Sequence, residues 1–172
     1  MASGYEAFRD QTLIRMVSEH QSALKNLCYM ILHDEALAED AVQETFLKAY
    51  KGLASFRGDC GQKTWLMRIA VNTCRDMQRT SWFRHEDRRV SPDMMYDEQA
   101  AQPDDEAAGL AQAIVALPRR DKEVVLLRYY QDMTIKEIAQ TLGIAPSSVH
   151  NRLKRAEKKL RISLEGRAVV YE

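Results

Sequence analysis

The sequence is poor in the residues that usually mark a chemical centre. It has three cysteines, Cys28, Cys60 and Cys74, and no C-x-x-C pair. A zinc ribbon or a thioredoxin-type dithiol needs such a pair. The four histidines, His20, His33, His85 and His150, are scattered. No group of residues therefore has metal-ligand spacing, and no metal site is expected. No apolar run approaches the roughly 20 residues that span a bilayer. The opening MASGYEAFRD carries charges of both signs and lacks the apolar h-region of a secretory signal. A cytoplasmic protein without membrane insertion is the expectation. Period-two alternation, the mark of a half-buried strand, is also missing. No nucleotide-binding glycine loop occurs, and no paired His/Asp context surrounds Cys60, so no catalytic residue and no cofactor are expected.

What is present is helical periodicity and segregated charge. With 172 residues the chain can form one ordinary domain or two small ones. Net charge is zero and by itself names no partner. Residues 57–90, however, hold eight Lys/Arg against four Asp/Glu, and residues 119–167 hold twelve against six. Residues 93–106 hold six acids and no base. Two basic modules joined by an acidic tether follow from that distribution. The expected fold is all-α, with a helical module over 1–90, a flexible linker over 91–105, a second module over 106–166 and a tail over 167–172. Ser91-Pro92 and Pro103 punctuate the linker. Extended, its about fifteen residues reach roughly 50 Å, about one and a half turns of B-DNA.

In the first module a helix is expected from about Tyr5 to Val17. A second follows from Glu19 to Leu32, with Ala23, Leu24, Leu27, Cys28 and Ile31 apolar. A third, from Leu37 to Leu53, carries the stripe Leu37, Ala41, Thr45, Ala49 and Leu53. A fourth runs from about Lys63 to Arg79 on the stripe Leu66, Ile69, Ala70, Thr73 and Met77. After the linker, Leu110, Ile114 and Leu117 form a stripe ended by Pro118, and a helix covers about Asp121 to Tyr130. Two more helices are expected over about 134–142 and 147–164.

The most specific pattern is TIKEIAQTLGIAPSSVHNRLKRAEKKLR. Thr134 and Glu137 form a T-x-x-E capping box, which starts a helix. Gly143 stands where a tight turn needs positive φ. Pro146 suits a first helical turn, and Ser147 or Ser148 can cap the helix that follows. This spacing is that of a helix-turn-helix. The second helix offers Ser147, Ser148, His150, Asn151, Arg152, Lys154 and Arg155 to a partner. Residues 147–161 hold six bases and one acid, which suits the DNA major groove.

Two surfaces stand out in the first module. Arg68, Asn72, Arg75 and Arg79 follow steps of four, three and four and share one helical face, with Asp76 beside them. Phe56, Arg57 and Lys63 surround a flexible Gly58–Gly61 segment next to Trp65. Aromatic faces and cationic donors are what unstacked bases need. On the preceding helix Asp40, Gln43, Glu44 and Leu47 form an acidic face with one exposed aliphatic. That face would repel DNA and fits a basic protein partner.

With these residues in view, DEALAEDAVQETFLKAYKGLASFRGDCGQKTWLMRIAVNTCRD resembles region two of the extracytoplasmic-function sigma factors of bacterial RNA polymerase. ALPRRDKEVVLLRYYQDMTIKEIAQTLGIAPSSVHNRLKRAEKKL resembles their region four. The motifs D-x-V-Q-E-x-F, F-R-G and T-W-L-x-R-I-A-x-N carry the resemblance, which covers roughly residues 5–165. It implies a region-two helical bundle and a region-four helix-turn-helix. Asp40, Gln43, Glu44 and Leu47 would then dock on the clamp helices of the largest polymerase subunit. The loop from Phe56 to Lys63, with Asn72 and Asp76, would capture the opened non-template strand at the -10 element. Arg68, Arg75 and Arg79 would hold the backbone nearby. The helix from Ser147 would read duplex DNA at the -35 element, and the linker would thread the polymerase toward the RNA exit path. The implied partners are core RNA polymerase, promoter DNA and an anti-sigma factor. Relatives often begin the recognition helix V-G-T-V-K/R-S-R, whereas here it reads Pro146-Ser147-Ser148-Val149-His150-Asn151-Arg152. His150 stands in place of a cation, and Asp59-Cys60-Gly61-Gln62 follows no family pattern. The alternative on the residues alone is an ordinary helix-turn-helix regulator that binds DNA without polymerase. A Cys60-dependent hydrolase is the enzyme alternative.

Overall fold

The computed structural model describes residues 4–84 and 105–168, and among these the backbone forms helices and no strand. The chain divides into two compact units, one built on residues 1–88 and the other on most of the rest. The expected linker, 91–105, lies outside the described residues except for Asp105, and the expected tail lies outside them beyond Ala168.

The first unit holds three long helices, α1 (Gly4–Leu32), α2 (Glu35–Gly52) and α3 (Gln62–Arg84). Two helices are expected over residues 5–32, but the structure has one of 29 residues. The reason is plain in the sequence: neither glycine nor proline interrupts residues 5–32, and Ser18 alone is too weak a breaker. The stop comes at His33, whose left-handed φ of 55° ends α1 while its N–H donates to the Tyr29 carbonyl at 2.8 Å. Asp34 then caps α2, its Oδ1 accepting from the Leu37 N–H at 2.8 Å.

α2 packs against both α1 and α3, and those two pack against each other. Its buried face is made of small residues, Ala38, Ala41, Val42, Thr45 and Ala49. Small side chains let flanking helices approach closely. Thr45 removes its own polarity by donating to the Ala41 carbonyl at 2.6 Å. The neighbours supply the bulk: Met16, Leu24, Leu27 and Cys28 from α1, and Leu66, Ala70 and Cys74 from α3. Each large buried side chain contributes about 1.5–3 kcal/mol of hydrophobic stabilisation. Leu53, expected inside α2, instead begins a 3-10 turn over Leu53–Ser55 that redirects the chain.

The second unit holds α4 (Asp105–Val115), α5 (Arg119–Val125), α6 (Ile135–Leu142) and α7 (Pro146–Ala168). A wider π-type turn, Leu126–Tyr130, extends α5 and closes with the Gln131 N–H on the Leu126 carbonyl at 3.2 Å. α7 packs on α4 and α5. Val149, Leu153 and Ala156 of α7 are buried, as are Val124, Val125, Leu126 and Leu127. The α4 stripe is not the expected one. Ile114 and Leu117 are buried, but Leu110 is 39% exposed and Ala113 completes the buried face.

Candidate functional sites

The helix-turn-helix is assembled by local chemistry. The capping box is closed in both directions: the Thr134 N–H and hydroxyl donate to Glu137 Oε2, each at 2.8 Å, and the Glu137 N–H donates to Thr134 Oγ1 at 3.3 Å. At the other end of α6, Gly143 takes a φ of 65°, and the Ile144 N–H donates to the Ala139 carbonyl at 3.1 Å. That is a Schellman stop, which needs a residue tolerant of the left-handed region. Neither Ser147 nor Ser148 caps α7. Its first turn is closed by the Ala145 carbonyl, which accepts from the N–H groups of Ser148 (2.9 Å) and Val149 (3.2 Å). The serines sit inside the first turn because Pro146 occupies the first helical position.

On α7, Ser147, His150, Asn151, Lys154 and Arg155 are exposed, and Ser148 and Arg152 are half-buried. Arg155 has a partner within the unit. Its Nε lies 3.1 and 3.0 Å from the two carboxylate oxygens of Asp121, and its Nη2 also donates to Oδ1. Lys159 Nζ donates to Asp121 Oδ2 at 3.0 Å. Hydrogen bonds from Arg155 hold the Asp121 carboxyl below the usual carboxylate range, with Lys159 assisting and burial opposing. Sequence reasoning missed Asp121. Its one signal is spacing: 121, 124 and 125 fall on one face of α5, so Asp121 shares the side of Val124 and Val125.

The loop and α3 form a second surface. Phe56 and Trp65, both half-buried, have ring centroids 4.7 Å apart at an interplanar angle of 30°. Trp65 also packs, with Phe46, Leu53 and Ile69, against the buried Met16, Ala49 and Leu66. The core of the bundle thus fixes the aromatic wall of the loop. Arg57 is exposed, and Gly58 turns the chain with a φ of 74°. Lys63, Arg68 and Arg75 are half-buried, whereas Asn72, Asp76 and Arg79 are exposed. Arg79 Nη2 reaches Asp76 Oδ1 at 3.2 Å, so the exposed end of this face is partly self-neutralised. Behind the loop, burial holds the His20 imidazole below its usual range, with Glu19 opposing and the Lys63 charge adding to the effect.

α2 presents the third surface. Asp40, Gln43 and Leu47 are exposed, Leu47 at 55%, and Glu44 is half-buried. Lys48 stands 3.7 Å from Glu44 and donates to Thr73 Oγ1 of α3 at 3.2 Å. Asp40 therefore carries the less compensated negative charge of the face.

Residues 16–84 match the family described as Sigma-70 region 2, and residues 108–160 match Sigma-70, region 4. The chain is 31% identical over 170 residues to the ECF RNA polymerase sigma factor SigL of Mycobacterium tuberculosis, covering 95% of this chain and 94% of that one. It is 29% identical over 163 residues to the RNA polymerase sigma-H factor of Pseudomonas aeruginosa, covering 87% of this chain and 84% of the other. A solved structure of CnrH in complex with the cytosolic domain of CnrY superposes with a TM-score of 0.69 at 26% identity, over 91% of this chain and 90% of that one. The sigma factor RpoE of Bartonella quintana, solved with the anti-sigma factor NepR, has the same fold at a TM-score of 0.73, 22% identity, 90% of this chain and 98% of the other. Two sigma regions in order along the sequence, and a relative matched nearly end to end, identify the chain as a member of the extracytoplasmic-function (ECF) family of RNA polymerase sigma factors.

Proposed function

We propose that the chain acts as a dissociable promoter-specificity subunit of RNA polymerase, in the cytoplasm and without a catalytic step of its own. The module over 1–90 docks on core polymerase through Asp40, Gln43, Glu44 and Leu47. Their acidic, one-aliphatic face suits the basic helices of a clamp. The loop from Phe56 to Lys63, with Trp65, Asn72 and Asp76, takes up single-stranded -10 DNA, and Arg57, Arg68, Arg75 and Arg79 follow its backbone. Unstacking a base costs a few kcal/mol, and stacking on an aromatic returns about 1–3 kcal/mol per base. A loop whose aromatic wall is already fixed by the core can therefore assist opening.

The module over 106–166 reads the duplex -35 element with Ser147, Ser148, His150, Asn151, Arg152 and Lys154, and the acidic linker over 91–105 tethers the two. An anti-sigma factor is the expected regulator, since two of the similar solved structures are complexes with such a regulator or with a cytosolic partner domain. The observation that carries the reading is one chain holding a region-two bundle followed by a basic helix-turn-helix whose first helix is capped at both ends. The test is run-off transcription with core polymerase on promoters selected from randomised DNA. Core-dependent initiation is expected. Tight DNA binding by the chain alone, with no initiation from any selected promoter, would instead identify an ordinary helix-turn-helix regulator.

A further inference from the structure

We propose that Asp121 is the positioning residue of the recognition helix: it fixes the roll of α7 through Arg155, which thereby serves as a tie between helices and not as a reader of bases. The inference rests on the reading of α7 as the -35 recognition helix.

The Asp121 side chain is 1% exposed, whereas that of Arg155 is 53% exposed. A carboxylate buried to that degree is tolerated only when its charge is paired and its lone pairs are used. Here both oxygens are used, and both partners come from α7. Arg155 and Lys159 are one helical turn apart, so α5 grips α7 at two points along its axis. Val149, Leu153 and Ala156 of α7 are buried against the core, and on its exposed side the Tyr129 hydroxyl donates to Glu157 Oε1 at 2.7 Å. Aliphatic contacts resist separation but are weakly directional. The ion triad is directional and opposes rotation about the helix axis.

Rotation matters because of leverage. With side chains, an α-helix has a radius of about 5–6 Å, so a roll of about 10° moves a side-chain tip by about 1 Å. A recognition constellation must be held within about 0.5 Å. Asn151 and Lys154, exposed within one turn of the tie, would feel such a roll directly. The Nε/Nη2 edge of Arg155 is meanwhile committed to Asp121, which removes one edge that could pair bidentately with guanine. The triad also reduces the free positive charge of α7 below what its six bases over 147–161 imply.

The test uses holoenzyme reconstituted from core polymerase and the full chain. The probes are a promoter fragment selected from randomised DNA and the same fragment with its upstream element scrambled. Asp121→Asn is expected to lower the affinity ratio between the two by about tenfold, the discrimination of one good base contact. Arg155→Gln should do the same, the double variant should lose little more, and Arg155→Lys should recover most of the ratio. A loss of fold in the second unit would also lower the ratio, so each variant is first required to show parental helicity by circular dichroism. The salt slope of binding should be the same in Arg155→Gln as in the parent. A fall of about 0.9 would mean that Arg155 contacts a phosphate, and would overturn the inference. So would a loss of preference confined to one base pair in Arg155→Gln with discrimination intact in Asp121→Asn. Should Asp121→Asn lack native helicity, the Arg155→Gln and Arg155→Lys pair decides. A parent holoenzyme indifferent to the upstream element overturns the reading of α7 itself.

Discussion

Replacing Thr134 by alanine removes two of the three hydrogen bonds of the capping box, those made by the hydroxyl as donor and as acceptor. The bond from the Thr134 N–H to Glu137 stays available, but the Glu137 N–H loses the threonine hydroxyl as acceptor. Loss of a threonine cap costs about 1 kcal/mol, within a range of about 0.5–2. α6 has eight residues, far fewer than an isolated helix needs in water. Its local stability is therefore drawn from its caps and its packing, and the cost should appear in full as local opening. One kcal/mol is about a fivefold change in an opening equilibrium. Native-state hydrogen exchange of the full chain should show the α6 amides, Glu137 foremost, exchanging about fivefold faster in Thr134→Ala, with α1–α3 unchanged. Thr134→Ser, which restores the hydroxyl, should return exchange to near the parent rate. Glu137→Ala should cost a similar amount, and the double variant less than the sum, because the two side chains share their bonds. Unchanged α6 exchange in Thr134→Ala, or equal acceleration across both units, would refute the assignment of the cap.

Leu24→Ala empties a fully buried site and should destabilise the first unit by about 2–5 kcal/mol, read as a lower urea midpoint for that unit. Gly143→Ala places a Cβ where no described atom lies within 4 Å, so steric contact adds nothing, and the positive φ alone should cost about 1–2 kcal/mol in urea unfolding of the second unit. Leu47→Arg should leave thermal stability within about 0.5 kcal/mol, since the side chain is exposed, while weakening binding to core polymerase by about tenfold or more in fluorescence anisotropy. His20 has a folded-state pKa below its usual 6.5, chiefly through burial. The unfolded chain therefore takes up its proton first as pH falls, so the contribution of His20 is complete above 6.5 and is lost as pH drops from there toward the folded value. Urea midpoints of the first unit should fall over that window, and His20→Gln should flatten this part of the profile.

Long apolar periodicities and turn chemistry were legible in the sequence because they are local. The capping box, the glycine turn and the α2 and α3 stripes need only residues three or four apart. Two expectations are not met: the chain has no break between Val17 and Glu19, because no glycine or proline interrupts residues 5–32, and no serine caps α7, because Pro146 takes its first helical position. Leu110 shows a different limit: periodicity places it on the apolar stripe, yet midway along α4 it is exposed and Ala113 fills the buried face. Asp121 and Arg155 are 34 positions apart. No pattern within one helix could pair them, and a basic residue on a recognition helix reads as a DNA contact until its partner is seen. Glu44 differs: its partner Lys48 stands four residues on in the same helix, a spacing the sequence does show.

Cys28 and Cys74 are completely buried in the three-helix bundle, while Cys60 is half-exposed in the loop before α3, and none is disulfide-bonded. The first unit thus carries its own conformational clock. Under native conditions a thiol reagent reaches the loop sulfur directly, and the other two only as fast as the bundle opens. The labelling rate of Cys28 and Cys74 therefore measures bundle opening without any introduced probe, and it can be followed in the same tube as the direct labelling of Cys60.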